Sequence, residues 1–129
     1  MLDFDKCPCS GSNLDRLIQP MILMNLAQED LYGYKIVQRI ADSPMFKGNK
    51  PDGTGVYRSL KAMEQRGLVV SSWSLDNTGP AKRFYHLTNV GEECLSRWLS
   101  TLEEYRKAIG MLLEDVHKAC AHTKRGKGD

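Results

Sequence analysis

The amino-acid sequence predicts a mainly α-helical fold with one small β-hairpin, followed by a long C-terminal helix. Apolar residues recur at helical spacing in three segments of the first half of the chain. Two β-branched and aromatic segments come next, and the last third repeats apolar residues at alternating intervals of three and four. A chain of 129 residues can bury one hydrophobic core, so we expect one domain that the long helix extends.

The first two helices are predicted from apolar spacing. Residues 14–26 are so densely apolar that they predict a helix buried on most sides. Its main part is expected to start at Pro20, because proline is tolerated in a first turn and costs about 3 kcal/mol inside a helix. A second helix is expected over residues 33–42. Residues 43–52 contain two prolines, a glycine and an asparagine, and therefore predict a loop.

A third helix is expected from an N-cap at Thr54 to Arg66, with Gly67 as the residue that ends it. Apolar residues at intervals of four and three define its inward face, which carries Val56, Leu60 and Met63. The opposite face is then polar and basic, and it carries Thr54, Tyr57, Arg58, Lys61 and Gln65.

The hairpin and the last helix complete the chain. Residues 68–75 and 83–87 predict two strands, and the turn chemistry of residues 76–80 joins them. Thr88 can cap the last helix, which is expected over residues 89–121 because this segment contains no proline. The predicted order is therefore three helices, a hairpin and a long helix.

This order is that of a winged helix-turn-helix. The side chains on the polar face of the third helix can hydrogen-bond base edges and phosphates, and a slim helix fits a major groove about 12 Å wide. Lys82 and Arg83 lie at the base of the return strand, where a wing reaches neighbouring phosphates. The alternative is an ordinary solvated helix face. Helix order, hairpin position and local charge together favour binding of double-stranded DNA.

The net charge of +2 conceals a segregated distribution. Residues 47–86 carry seven basic and three acidic side chains, whereas residues 1–46 carry four and six, and residues 89–116 carry three and six. The positive segment contains the third helix and the hairpin. The total charge alone would argue against a nucleic-acid partner, but this local excess fits one.

The long helix carries a heptad seam. Its members are Leu95, Trp98, Leu102, Tyr105, Ile109, Leu112, Val116 and Ala119. A helix of this length cannot hide the whole stripe on a module of about 70 residues, so a second chain is expected to cover part of it. A homodimer would place two recognition helices about 34 Å apart on a pseudo-palindromic operator. The alternative is a seam buried within one chain.

Cysteine and histidine residues cluster near the two ends of the chain. Cys7 and Cys9 lie in the N-terminal segment, and His117, Cys120 and His122 lie at the other end. A metal site or a redox-sensitive thiol pair is geometrically conceivable. Their spacing matches no standard zinc motif, so the sequence predicts no metal and no cofactor.

The sequence also argues against enzyme and membrane classes. It holds no glycine-rich phosphate loop, no paired carboxylates in a cleft pattern, and no nucleophile with a nearby base. No segment approaches the 18 or more apolar residues of a membrane span, and the first ten residues lack the basic start of a signal peptide. The expected location is the cytoplasm.

Three motifs resemble the PadR family of bacterial transcriptional regulators, in its short form with one C-terminal dimerisation helix. They are LYGYKI at residues 31–36, GVYRSL at residues 55–60 and GPAKRFYHLT at residues 79–88, and the resemblance covers residues 14–116. Gly33 is expected to let the chain turn into the second helix without a Cβ. The resemblance implies a repressor that releases DNA when an effector binds, with Trp98 and Tyr105 as candidate pocket residues or, alternatively, as packing residues of the seam.

The expected organisation has four parts: an N-terminal arm over residues 1–12, a DNA-binding domain over 13–88, a dimerisation helix over 89–121 and a mobile basic tail over 122–129. The leading hypothesis is a homodimeric, sequence-specific regulator of transcription that a small-molecule effector relieves. Two alternatives stay open. One is a metal- or redox-sensing regulator that uses the terminal cysteines, and the other is an adaptor that docks a protein partner through the long helix.

Overall fold

The computed structural model describes residues 15–46, 53–74 and 82–127. The chain divides into two compact units, one that ends at Leu95 and one that begins at Ser96. After a 3-10 turn over Asp15–Leu17, the elements are α1 (Ile18–Gln28), β1 (Leu31–Tyr32), α2 (Gly33–Ala41), α3 (Gly53–Gln65), β2 (Val69–Ser74), β3 (Lys82–Leu87) and α4 (Asn89–Lys127). The prediction of a mainly helical fold with a hairpin and a long last helix is confirmed. None of the helices in these ranges has the length and apolar character that a bilayer crossing requires.

Helix α1 forms the centre of the first unit. Ile22 and Leu23 are fully buried, and seven of its eleven residues are buried in all, so the prediction of a helix covered on most sides is confirmed. The helix begins two residues before Pro20, which therefore lies in the first turn, where its missing N–H costs nothing. Met24 is an exception, since its side chain is 45% exposed.

The sheet has three strands rather than two. Strand β1 pairs antiparallel with β3, with Leu31 opposite Tyr85, and β2 pairs with the other edge of β3. The strand order is β1-β3-β2, so the return strand of the hairpin is central. Sequence analysis missed β1 because a two-residue strand is too short to show an alternating pattern.

The termini of α3 correct one prediction and confirm another. The helix begins at Gly53, so Thr54 lies inside its first turn, and the prediction of an N-cap at Thr54 is wrong. At the other end, Gly67 has a φ of +78°, which favours glycine, and ends the helix as predicted. The Leu68 amide donates to the Met63 carbonyl at 2.9 Å, and the Gly67 amide donates to the Glu64 carbonyl at 3.0 Å. These two bonds form a Schellman motif.

Thr88 precedes α4 and caps it as predicted. Its hydroxyl oxygen accepts a hydrogen bond from the Gly91 amide at 3.0 Å, and its hydroxyl proton lies between two acceptors, the Gly67 carbonyl at 2.6 Å and the Leu68 carbonyl at 2.9 Å. The helix continues to Lys127, six residues beyond the predicted end at Ala121. The basic tail predicted over residues 122–129 is therefore helical as far as Lys127.

Gly91 marks a close approach between α4 and the end of the hairpin. A Cβ on this residue would overlap the Leu68 carbonyl oxygen and lie 2.5 Å from Leu87 Cδ1. The carbonyl cannot move away easily, since it already accepts bonds from the amide and the hydroxyl of Thr88. Glycine is thus required at position 91 because there is no room for a Cβ, and not because the backbone adopts an unusual φ.

We expect Gly91→Ala to lower the free energy of unfolding by roughly 1–3 kcal/mol, the usual cost of overpacking. The matched control is Gly110→Ala, where a Cβ would meet nothing within 4 Å. This control should gain about 0.5–1 kcal/mol from helix propensity. Urea denaturation followed by circular dichroism measures both values, and equal effects in the two variants would contradict the steric argument.

Candidate nucleic-acid interface

The two faces of α3 differ as the sequence predicts. Val56, Leu60 and Met63 are at most 1% exposed and face the core. The polar residues predicted for the opposite face are all exposed, and they are Thr54, Tyr57, Arg58, Lys61 and Gln65.

These exposed side chains point in two directions. Since an α-helix has about 3.6 residues per turn, Arg58 and Gln65 share a side that points directly away from the core. Tyr57 and Lys61 are rotated toward the sheet. The predicted side chains therefore extend from the outermost side of the helix to one flank, and Gln65 belongs to both regions.

A groove of about 840 Å³ lies between this flank of α3 and the sheet. Five of the seven residues predicted for DNA binding line it, namely Tyr57, Lys61, Gln65, Lys82 and Arg83. Thr54 and Arg58 are not among its lining residues. Sequence analysis missed six other lining residues, which are Tyr32, Gly33, Tyr34, Glu64, Trp73 and Tyr85. The groove therefore combines cations with aromatic rings.

Both wing cations lie over aromatic rings. The Lys82 ammonium is 5.3 Å from the centre of the Tyr34 ring and 5.9 Å from that of Tyr32. The Arg83 guanidinium is 5.1 Å from the centre of the Trp73 ring. Such distances are typical of cation–π interactions. Trp73 and Arg83 are directly opposite each other in the hairpin. Their contact could have been predicted from the sequence if the pairing register of the two strands had been known.

Tyr57 packs against the first residue of α2. A Cβ at Gly33 would lie 2.5 Å from Tyr57 Cε1 and 2.9 Å from its hydroxyl oxygen. Gly33 does not have a positive φ, so the reason for glycine at the start of α2 is the absence of a Cβ and not an unusual backbone angle. Glycine leaves room there for the ring of Tyr57, which a Cβ would displace.

The buried end of the groove contains Tyr85. Burial raises the pKa of its hydroxyl, Arg83 opposes this shift, and Glu64 adds to it. The Glu64 carboxylate accepts a hydrogen bond from the Ser71 hydroxyl at 2.7 Å, which ties α3 to β2. Tyr85 is therefore a neutral hydroxyl at physiological pH, and Glu64 places one negative charge in a groove lined by three cations.

The seam on α4 is apolar and largely exposed in this chain. Leu95 and Trp98 are half-buried, whereas Leu102, Tyr105, Ile109, Leu112 and Val116 are 40–62% exposed. Four further apolar side chains of α4 that sequence analysis did not single out are also exposed, namely Val90, Leu99, Met111 and Leu113. The Trp98 and Tyr105 rings meet edge to face, with their centres 6.4 Å apart.

The candidate metal or thiol residues are only partly described. Cys7 and Cys9 lie outside the described residues, and His117, Cys120 and His122 are exposed on α4. Among the residues that the structure covers, no group of three or more His, Cys, Asp or Glu side chains could hold a metal ion.

The model of the transcriptional regulator PadR-like family matches residues 22–97, which is more than half of the chain. A solved candidate transcriptional regulator from Thermoplasma acidophilum is 31% identical, with a TM-score of 0.70 over 78% of this chain and 94% of that one. A PadR family transcription regulator from Clostridium difficile is 26% identical, with a TM-score of 0.64 over 75% and 98% of the two chains.

A third solved relative is Bacillus subtilis PadR in complex with operator DNA. It is 25% identical, with a TM-score of 0.58. The match covers 65% of this chain and 47% of that one, so this chain corresponds to about half of the larger protein.

The contact of Tyr57 with Gly33 leads to a test by paired substitution. We expect Gly33→Ala to lower the free energy of unfolding by roughly 1 kcal/mol, because the methyl group displaces the Tyr57 ring. In a Tyr57→Ala background the same change should be neutral or stabilising, since the space is then empty. Urea denaturation of the unmodified protein, the two single variants and the double variant gives the coupling free energy between the two positions. An equal cost of Gly33→Ala in both backgrounds would show that Tyr57 is not the obstacle.

Proposed function

Because the chain belongs to the PadR-like family of transcriptional regulators, we propose that it is a homodimeric repressor that reads a pseudo-palindromic operator and is relieved by a small-molecule effector. Members of this family are DNA-binding transcription regulators and not enzymes. The proposal assigns residues 13–88 to DNA binding and the helix that follows to dimerisation.

The observation that carries the DNA-binding assignment is the arrangement of cations around α3. Arg58 and Gln65 lie on the outermost side of the helix, where a major groove would meet them. Lys61, Lys82 and Arg83 line the groove beside it. We therefore assign Thr54, Arg58 and Gln65 to contacts with base edges. Lys82 and Arg83 are assigned to contacts with the phosphate backbone. The operator complex of the Bacillus subtilis relative supports this use of the fold.

Tyr57 and Lys61 receive a narrower role than the sequence predicts. The Tyr57 ring is held against Gly33, so its direction is set by α2 rather than by a base. Lys61 faces the same groove as the two wing cations. Both residues are proposed to contact the sugar-phosphate backbone.

The homodimer is supported by the exposed seam of α4. An apolar stripe this long rarely remains in contact with water, and a two-fold dimer would cover it while placing two α3 helices about 34 Å apart. The effector is proposed to bind at or near this interface. Trp98 and Tyr105 meet edge to face on the seam and supply aromatic surface for a planar molecule, although the same geometry also serves packing alone.

Base and backbone contacts should respond differently to substitution. We expect Arg58→Ala to cost roughly 1–3 kcal/mol on the operator and little on random duplex, because it removes a base contact. Lys82→Ala should weaken binding to both duplexes and reduce the slope of log K against log salt by about one. Fluorescence anisotropy with genomic fragments selected by the purified protein measures both effects. Equal affinity of the unmodified protein for operator and random duplex at physiological salt would contradict sequence-specific binding.

The dimer can be tested at one seam position. We expect Ile109→Asp to raise the dimer dissociation constant by roughly two orders of magnitude, since each interface would bury two unpaired carboxylates. The matched control is Met111→Asp, which alters an equally exposed residue on the opposite side of the helix. Sedimentation velocity measures the fraction of dimer in each of the two variants. A dimer unaffected by Ile109→Asp, or a monomeric unmodified chain, would contradict the assignment of the seam and would favour an adaptor that binds another protein there.

A further inference from the structure

We propose that the rings of Tyr34 and Trp73 are positioning residues for DNA binding, which hold Lys82 and Arg83 in the groove beside α3. The inference rests on the proposed DNA-binding function, which assigns no DNA contact to Tyr34 or Trp73. It gives these two side chains the role of orienting the cations that do contact DNA. It follows from the geometry of strand β3.

Consecutive residues of a strand project from opposite faces of a sheet. Arg83 shares a face with Tyr85 and Leu87, which are buried in the core, whereas Lys82 projects from the other face. The two cations would thus be expected to diverge. Both nevertheless line the same groove, so each side chain must be directed toward it from its own face.

On the face of Lys82, the supporting group is a pair of tyrosines. The Tyr32 and Tyr34 rings stack with their centres 5.9 Å apart and their planes within 15° of parallel. Tyr32 is fixed in turn, because it packs on Phe84 and its hydroxyl donates to Ser74 Oγ at 3.4 Å. Tyr34 is half exposed and brings its ring to 5.3 Å from the ammonium. The pair therefore forms a surface on which the long Lys82 side chain can rest.

On the face of Arg83, the supporting group is Trp73. It is the cross-strand partner of Arg83 and lies one residue pair from the end of the ladder at which β2 ends and β3 begins, beyond the core. Its side chain is 58% exposed, so burial does not explain a residue of this size at this position. The contact with the guanidinium, at 5.1 Å from the ring centre, does explain it. Each wing cation thus has its own aromatic support.

The competing explanation is that these rings touch DNA themselves, for example by packing on a sugar. A double-mutant cycle separates the two roles. If Tyr34 acts through Lys82, its removal matters only while Lys82 is present. If it touches DNA, its removal weakens binding in either background.

We expect Tyr34→Leu and Trp73→Leu each to weaken binding to random duplex about twofold to fivefold, the range for exposed cation–π contacts. The slope of log K against log salt should stay unchanged, because neither substitution removes a charge. Tyr34→Phe and Trp73→Phe, which keep a ring, should restore most of the lost affinity. In a Lys82→Ala background, Tyr34→Leu should have no further effect, and the same holds for Trp73→Leu in an Arg83→Ala background.

Three results would overturn the inference while DNA binding itself stands. They are unchanged affinity of the leucine variants, failure of the phenylalanine variants to restore it, and equal losses in the single and double backgrounds. Absence of salt-dependent binding by the unmodified chain would instead contradict the proposed function. Thermal denaturation controls for folding, and Tyr34→Met or Trp73→Met takes the place of a leucine variant in the cycle if that variant is unstable.

Discussion

The central strand β3 is the element on which the rest of the first unit depends. It pairs with β2 along six residue pairs and with β1 along two, so it connects the hairpin to the segment between α1 and α2. His86 Nδ1 lies 2.8 Å from an Asp30 carboxylate oxygen and strengthens this connection from the outer face. The strand also begins with the two cations proposed to contact DNA. A wing tied to α2 in this way has a fixed position relative to α3.

Close backbone approaches complete this fixed arrangement. Thr88 joins the start of α4 to the end of α3 through the Leu68 carbonyl, and Gly91 leaves room for that contact. Gly33 leaves room for the Tyr57 ring at the junction of α2 and α3. Each glycine is explained by a neighbouring atom rather than by an unusual backbone angle. Helix α3 is therefore held at its C-terminal end and by one side chain on its flank.

Much of the fold could be predicted because the signals are local. Helical spacing identified α1, α2 and α3, and turn chemistry identified the hairpin. The spacing of three apolar residues predicted the inward face of α3. Gly67 was predicted to end the helix because it is a glycine. The cap at Thr54 was misplaced because the segment before α3 offers more than one polar residue. Strand β1 was missed because its two residues acquire their structure only by pairing with β3.

The sequence by itself determined the family, the helix order, the heptad seam and the concentration of positive charge in residues 47–86, since each of these is a property of residue type and spacing. Only the tertiary structure decided which of the polar residues on α3 line the groove beside the sheet. It alone placed Tyr34 and Trp73 beside Lys82 and Arg83, and the Tyr57 ring against Gly33. The physical reason is that these contacts join residues of different elements, whose register and crossing angle no local pattern specifies.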